Sequence, residues 1–201
     1  MIRSRAVTAA VPVALAFALA PELAAAHAGG HETDGFMSGV MHPLLGLDHL
    51  IAMIAVGLWG AQLGMPLLIA LPVLFPMLMA LGGLLAILGM PLPGVEVGIA
   101  LSGVVLGAAI VAAWKAPVWV AVALIAAFAM MHGHAHGTEL PHAAAPLPYA
   151  LGFILATGSL HLIGIGIGLL NDWRDLGPKV VRGCGALIAL LGLVFLAGTA
   201  A

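Results

Sequence analysis

The chain has 201 residues, 63% of them hydrophobic and 7% charged, with a formal net charge of −2. Soluble domains carry about 25% charged residues, so the composition indicates a polytopic membrane protein and leaves no room for a large soluble domain. Six Lys and Arg give no basic surface for nucleic acid. The one cysteine, Cys184, rules out an intramolecular disulfide and a multi-cysteine zinc site; in its apolar surroundings it reads as a small buried residue.

The chain begins with the pattern of an export signal. Arg3 and Arg5 supply a positive start, 6–20 is a short apolar stretch, and Pro21-Glu22 ends it. Ala24-Ala25-Ala26 fits the small-residue cleavage rule, so 1–26 is predicted to be a cleaved signal peptide and His27 the mature N-terminus. Cleavage two residues later would leave Gly29-Gly30-His31 instead. Six apolar spans are predicted after it, since each needs about 20 apolar residues. They cover about 36–60, 65–88, 95–114, 117–131, 147–170 and 181–200. Pro66, Pro72 and Pro76 predict a kinked or broken second span. Glycines at helical spacing, such as Gly98, Gly103 and Gly107, and Gly164 with Gly168, predict close helix packing.

The basic residues set the orientation. With the mature N-terminus outside, Lys115, Arg174, Lys179 and Arg182 all fall on the cytoplasmic side, as the positive-inside rule requires. A five-span arrangement breaks this pattern. The expectation is therefore an all-α helix bundle in the inner membrane, 27–201, with both mature termini periplasmic.

Two motifs carry the chemistry. The first is His42-Pro43-Leu44-Leu45-Gly46-Leu47-Asp48-His49. On a continuous helix, His42 and His49 share a face about two turns apart, with Gly46 between them leaving room for an ion. Asp48 points about 100° away from His49, where it can orient a ligand or bind from the flank. Pro43 lacks a backbone donor and can free a carbonyl near His42. The second motif is Met131-His132-Gly133-His134-Ala135-His136-Gly137-Thr138-Glu139. If the helix continues through it, His132, His136 and Glu139 form one face of three ligands. His134 then lies on another face, as an entrance ligand or a solvated side chain.

An Asp at a helix centre costs roughly 2.5–3.5 kcal/mol to insert into hydrocarbon. Such residues are kept within a membrane for a function. Imidazole and carboxylate without thiolate suit divalent Ni, Co or Zn. Cu(I) on the methionines near the motifs is weaker, because no Met-x-x-Met ladder accompanies them. His161, in the middle of the fifth span, is a further candidate ligand or proton relay. Glu96 and His142 read as an interfacial carboxylate and a loop residue. At the mature N-terminus, His27, or Gly29 with His31, would make a terminal chelate for a periplasmic metal-gathering tail.

The signal peptide, both His motifs and the later Leu160-His161 together resemble the HupE/UreJ family over essentially the whole mature chain. The resemblance implies a nickel/cobalt permease associated with hydrogenase or urease. It also implies transport roles for His42, Asp48 and His49, and functional roles for His132, His136 and Glu139. The expected function is uptake of Ni²⁺, with Co²⁺ as a second ion, as a transported substrate rather than a resident cofactor. The partners expected are the metal ion and the bilayer, with a second copy or a metal-handling protein left open. Two other classes fit the same residues: an intramembrane zinc hydrolase, although the spacing matches no HExxH-type motif, and a metal-binding accessory protein for hydrogenase or urease maturation.

Overall fold

In hydrocarbon every backbone donor and acceptor has to be satisfied internally, and an apolar run meets this requirement by forming a helix. The computed structural model describes residues 35–139 and 146–199, and every regular element among them is helical. In chain order these are α1 (Gly35–Leu45), α2 (Leu47–Leu63), α3 (Leu67–Ile87), α4 (Val95–Val111), α5 (Val118–Glu139) and α6 (Pro146–Leu169). A 3-10 turn (Leu170–Asp172) then leads to α7 (Gly177–Gly198). The predicted signal peptide lies outside the described residues.

Four stretches are long and apolar enough to cross a membrane: Leu67–Ile87, Val118–Thr138, Leu147–Asp172 and Gly177–Gly198. The α1–α2 pair passes the same test as one broken span, which makes five. Helix α4 is apolar but has 17 residues.

The predicted first span, 36–60, is not one straight helix. It is bent by 78° between α1 and α2. The bend falls on Gly46, whose backbone is extended (φ −74°, ψ 98°). The hydrogen bonds on either side persist. The Gly46 N–H donates to the His42 carbonyl at 3.1 Å, and the Leu50 N–H donates to the Gly46 carbonyl at 2.9 Å. The His42 carbonyl is therefore occupied by the Gly46 N–H. Pro43 lies buried inside α1 and the chain turns three residues later. Helix α3, in contrast, runs unbroken through Pro72 and Pro76.

Helix α2 is the axis of the bundle, touching α3, α4, α6 and α7. Its residues from Ile51 to Gly60 are buried almost all round, as expected for a helix apolar on every side. The other helices pair around it, α3 with α5, α4 with α7, and α1 along α6. Their outward faces are apolar: Ile69, Val73 and Met77 on α3, Ile154, Leu155 and Leu162 on α6, and Leu187 and Leu190 on α7 are all exposed. Apolar surface on this scale would be a liability in water and is the normal finish for a face in contact with lipid.

Close approach between helices depends on glycine at two places that matter for the site. A Cβ on Gly57 would collide with the His161 carbonyl, and one on Gly133 with the Met79 carbonyl. These glycines hold α2 against α6 and α5 against α3, the backbone-to-backbone packing of membrane helices. At the C-terminal end of α2, the Lys115 ammonium donates to the Gln62 carbonyl, and the Trp59 indole N–H donates to the Trp114 carbonyl at 3.2 Å. Gly168 near the end of α6 packs on Leu58 of α2. The turns carrying Lys115 and Arg174 thus lie at the end of the bundle away from His49.

Candidate metal site

The two His motifs meet. His42 from α1, His49 from α2, and His132 and His136 from α5 form one cluster of imidazoles. The ring centres of His49 and His136 are 4.2 Å apart, of His49 and His132 4.7 Å, of His42 and His136 4.7 Å, and of His42 and His49 6.3 Å. His49 is the hub, with the other three rings around it. Two imidazoles sharing a tetrahedral ion at a metal–nitrogen distance of about 2.0–2.1 Å place their ring centres about 5 Å apart, which is the scale of this cluster. The rings stand edge-on or tilted to one another, and among the described residues no three His, Cys, Asp or Glu side chains already surround one point where an ion would sit.

Hydrogen bonds decide which nitrogen each ring offers. The His49 Nδ1–H donates to Asp48 Oδ1 at 3.1 Å. The same oxygen accepts the His49 backbone N–H at 2.8 Å, within the first turn of α2. The His132 Nδ1–H donates to the Phe128 carbonyl at 2.9 Å. In both rings this tautomer leaves Nε2 as the bare nitrogen, and both Nε2 atoms are buried without a hydrogen-bond partner among the described residues. A ring fixed through one nitrogen with the other left bare is how a metal-binding histidine is normally supported. Asp48 serves His49 as the orienting carboxylate, one of the two roles its position in the sequence allowed.

Local sequence explains the arrangement. The break at Gly46 starts a new helix at Leu47, which puts Asp48 in its first turn, where the helix dipole favours a carboxylate. A Cβ on Gly46 would lie 3.3 Å from Asp48 Oδ1 and 3.6 Å from His49 Nδ1, so a side chain there would press on the carboxylate that holds the His49 ring. Helix α5 continues past the predicted span end at 131 and through Gly133 and Gly137 of the second motif, which the sequence left open, and sets His132 and His136 one turn apart, both buried.

The remaining candidates divide. Glu139 ends α5 on the expected backbone. His134 turns away from the cluster, and its Nε2–H donates to the Met90 carbonyl at 3.0 Å. His161 is buried on α6 and meets the cluster through Phe75, whose ring lies 5.7 Å from His161 and 5.6 Å from His132. His27, His31 and His142 lie outside the described residues. Glu96 is exposed and shares with Asp48 a cavity of about 600 Å³, also lined by Ile99 of α4 and Phe195 of α7. The aromatic wall of the cluster was not anticipated. The Phe153 ring lies 4.7 Å from that of His136, and the Tyr149 ring 6.0 Å from that of His42. Their four-residue spacing with Thr157 and His161 on one helix was the available signal.

Comparison with known proteins agrees with the motifs. The family model for HupE / UreJ protein matches residues 15–195. The chain is 40% identical over 188 residues to the Protein HupE of Rhizobium leguminosarum bv. viciae, covering 94% of this chain and 97% of that protein. No solved structure matches the chain. The match runs through both His motifs and nearly every described helix, and the chain belongs to the HupE / UreJ family.

Proposed function

We propose that the protein is an uptake permease for Ni²⁺, with Co²⁺ as a second substrate, and not an enzyme. The observation that carries this reading is the convergence of four imidazoles from two distant motifs, two of them with a buried, bare Nε2. Neutral nitrogen donors beside one carboxylate suit Ni²⁺ and Co²⁺, whereas a thiolate set would favour softer ions. In this reading the ion enters past Asp48, whose side chain is 34% exposed, against 8% for His49. Small rotations of the four rings replace its water by nitrogen ligands. Glu139 completes the set from the end of α5. The His49 and His132 rings are steadied by hydrogen bonds through Nδ1, and a transported ion must be held firmly enough to enter yet weakly enough to leave.

The reading includes the arrangement expected from the sequence. A signal peptide, 1–26, is removed, and 27–201 spans the inner membrane six times. The broken α1–α2 pair and the short α4 each count as one span, and both mature termini are periplasmic. The end of the bundle carrying Lys115 and Arg174 then faces the cytoplasm. An inside-negative potential drives a divalent cation inward by about 4.6 kcal/mol per 100 mV. His27 and His31 act as collectors outside the membrane, delivering ions to the cluster. The imported metal serves a hydrogenase or urease, and the protein keeps no cofactor of its own.

Proteoliposomes test this. Ni²⁺, Co²⁺, Zn²⁺ and Cu²⁺ are offered separately under an inside-negative potential to the intact protein and to a D48A/H49A double variant. Entry of Ni²⁺ that disappears in the double variant is the expected result. Absence of flux for every ion, together with zinc retained through purification, would replace the permease by a zinc enzyme.

A further inference from the structure

Four residues of α6, Tyr149, Phe153, Thr157 and His161, repeat at intervals of four and so lie along one face of the helix. The helix rise makes this stripe about 18 Å long. Its neighbours give the order of depth. Tyr149 meets His42, Phe153 meets His42 and His136, and His161, two turns beyond Phe153, meets Phe75. The first two residues therefore wall the four-imidazole cluster. The last two lie beyond it, toward the end of the bundle that carries Lys115.

Thr157 and His161 are polar and almost fully buried, at 0% and 2% exposure. Thr157 Oγ1 and His161 Nε2 have no hydrogen-bond partner among the described residues. A buried hydroxyl or imidazole left unsatisfied is costly, and one turn of helix brings both to the same face. Serine and threonine hydroxyls in membrane helices usually bond back to the preceding turn, as Ser159 does to the Leu155 carbonyl at 2.8 Å. Thr157 does not. Phe75 of α3 is fully buried and touches both His132 and His161 edge-on, so an apolar ring lies where the outer cluster meets this deeper pair.

We infer that Thr157 Oγ1 and His161 Nε2 form a second, inner binding station for the transported divalent cation, reached from His132 past the ring of Phe75. The inference rests on the permease reading and adds a second stop to it. The mixed oxygen–nitrogen pair holds the ion more weakly than four imidazoles, and an ion handed from His132 gains a site from which it can leave. A ring between two stations acts as an apolar constriction that opens when the side chain turns.

The test separates binding from movement, using the full chain and Ni²⁺ or Co²⁺ alone. Calorimetry in detergent counts binding events, the visible spectrum of bound Co²⁺ reports their ligands, and proteoliposomes report uptake. The intact protein is expected to bind two ions per chain, the second more weakly. T157V, which keeps the shape of the side chain, and H161F are expected to lose the second event and its Co²⁺ band. They keep the first affinity within twofold, and uptake falls at least tenfold in H161F. H161Q restores part of the uptake. Uptake in H161F and T157V equal to that of the intact protein overturns the inner station, as does loss of the first binding event in T157V. If the intact protein neither binds nor moves either metal, the permease reading itself fails, and the inner station with it.

Discussion

The motif on α1 and α2 presents its imidazoles across a 78° break, whereas the motif on α5 presents them one turn apart on an unbroken helix. The break frees His42 and His49 from a common helical register and gives Asp48 the N-terminus of a new helix. The straight helix fixes the His132–His136 spacing at about 6 Å along its axis. One half of the site is therefore built across a bend and is partly open, with Asp48 34% exposed at its edge. The other half lies on one unbroken helix and is buried, with His132 at 0% exposure. A helix break lets two imidazoles escape a common register, whereas along a single helix the period alone sets their spacing.

That comparison is broken most directly at its hub. His49→Ala removes the ring in contact with His42, His132 and His136. It is expected to abolish saturable Ni²⁺ uptake, with a loss beyond the roughly 100-fold upper figure for removing a ligand's supporting partner. Proteoliposome flux checks it. Asp48→Asn keeps the shape but weakens the hold on His49 Nδ1 and is expected to reduce metal affinity about 10–100-fold, read by calorimetry with Ni²⁺. Equal affinity in this variant would mean that the bent half needs no orienting carboxylate.

Two glycine variants sharpen the contrast between the two halves. Gly133→Leu drives a side chain into the Met79 backbone and is expected to destabilise the fold by about 1–3 kcal/mol or more, seen as a lower midpoint of thermal unfolding in detergent. Gly46→Ala meets Asp48 Oδ1 at 3.3 Å and favours continuing the helix across the break. Its expected effect is smaller: the unfolding midpoint hardly moves while Ni²⁺ affinity falls a fewfold. A large loss of stability in Gly46→Ala and none in Gly133→Leu would mean that the bend, and not the α3–α5 contact, carries the packing. The smallest effect is expected at His134, which faces away from the cluster. His134→Ala loses one hydrogen bond to Met90, worth about 0.5–1.5 kcal/mol, with uptake by the bundle unchanged.

That the described chain is helical and apolar on its outside was legible in the sequence, because continuous apolar runs of about 20 residues satisfy their backbone in lipid by forming helices, and only 7% of the residues are charged. The sequence also singled out the residues of the cluster, because imidazoles and a carboxylate are conspicuous in apolar surroundings, and it placed His132 and His136 on one face through the period of the helix. Tertiary structure decided the rest. A glycine tolerates either a helix or a turn, so the break at Gly46 depended on what α1 and α2 pack against. The prolines of α3 looked equally disruptive, yet that helix continues through them. Most of all, period and spacing operate within one segment, and the meeting of His49 with His132 joins residues from segments far apart in the chain. That meeting is set by where α2, α3, α5 and α6 touch, with Gly57 and Gly133 allowing their backbones to come close enough.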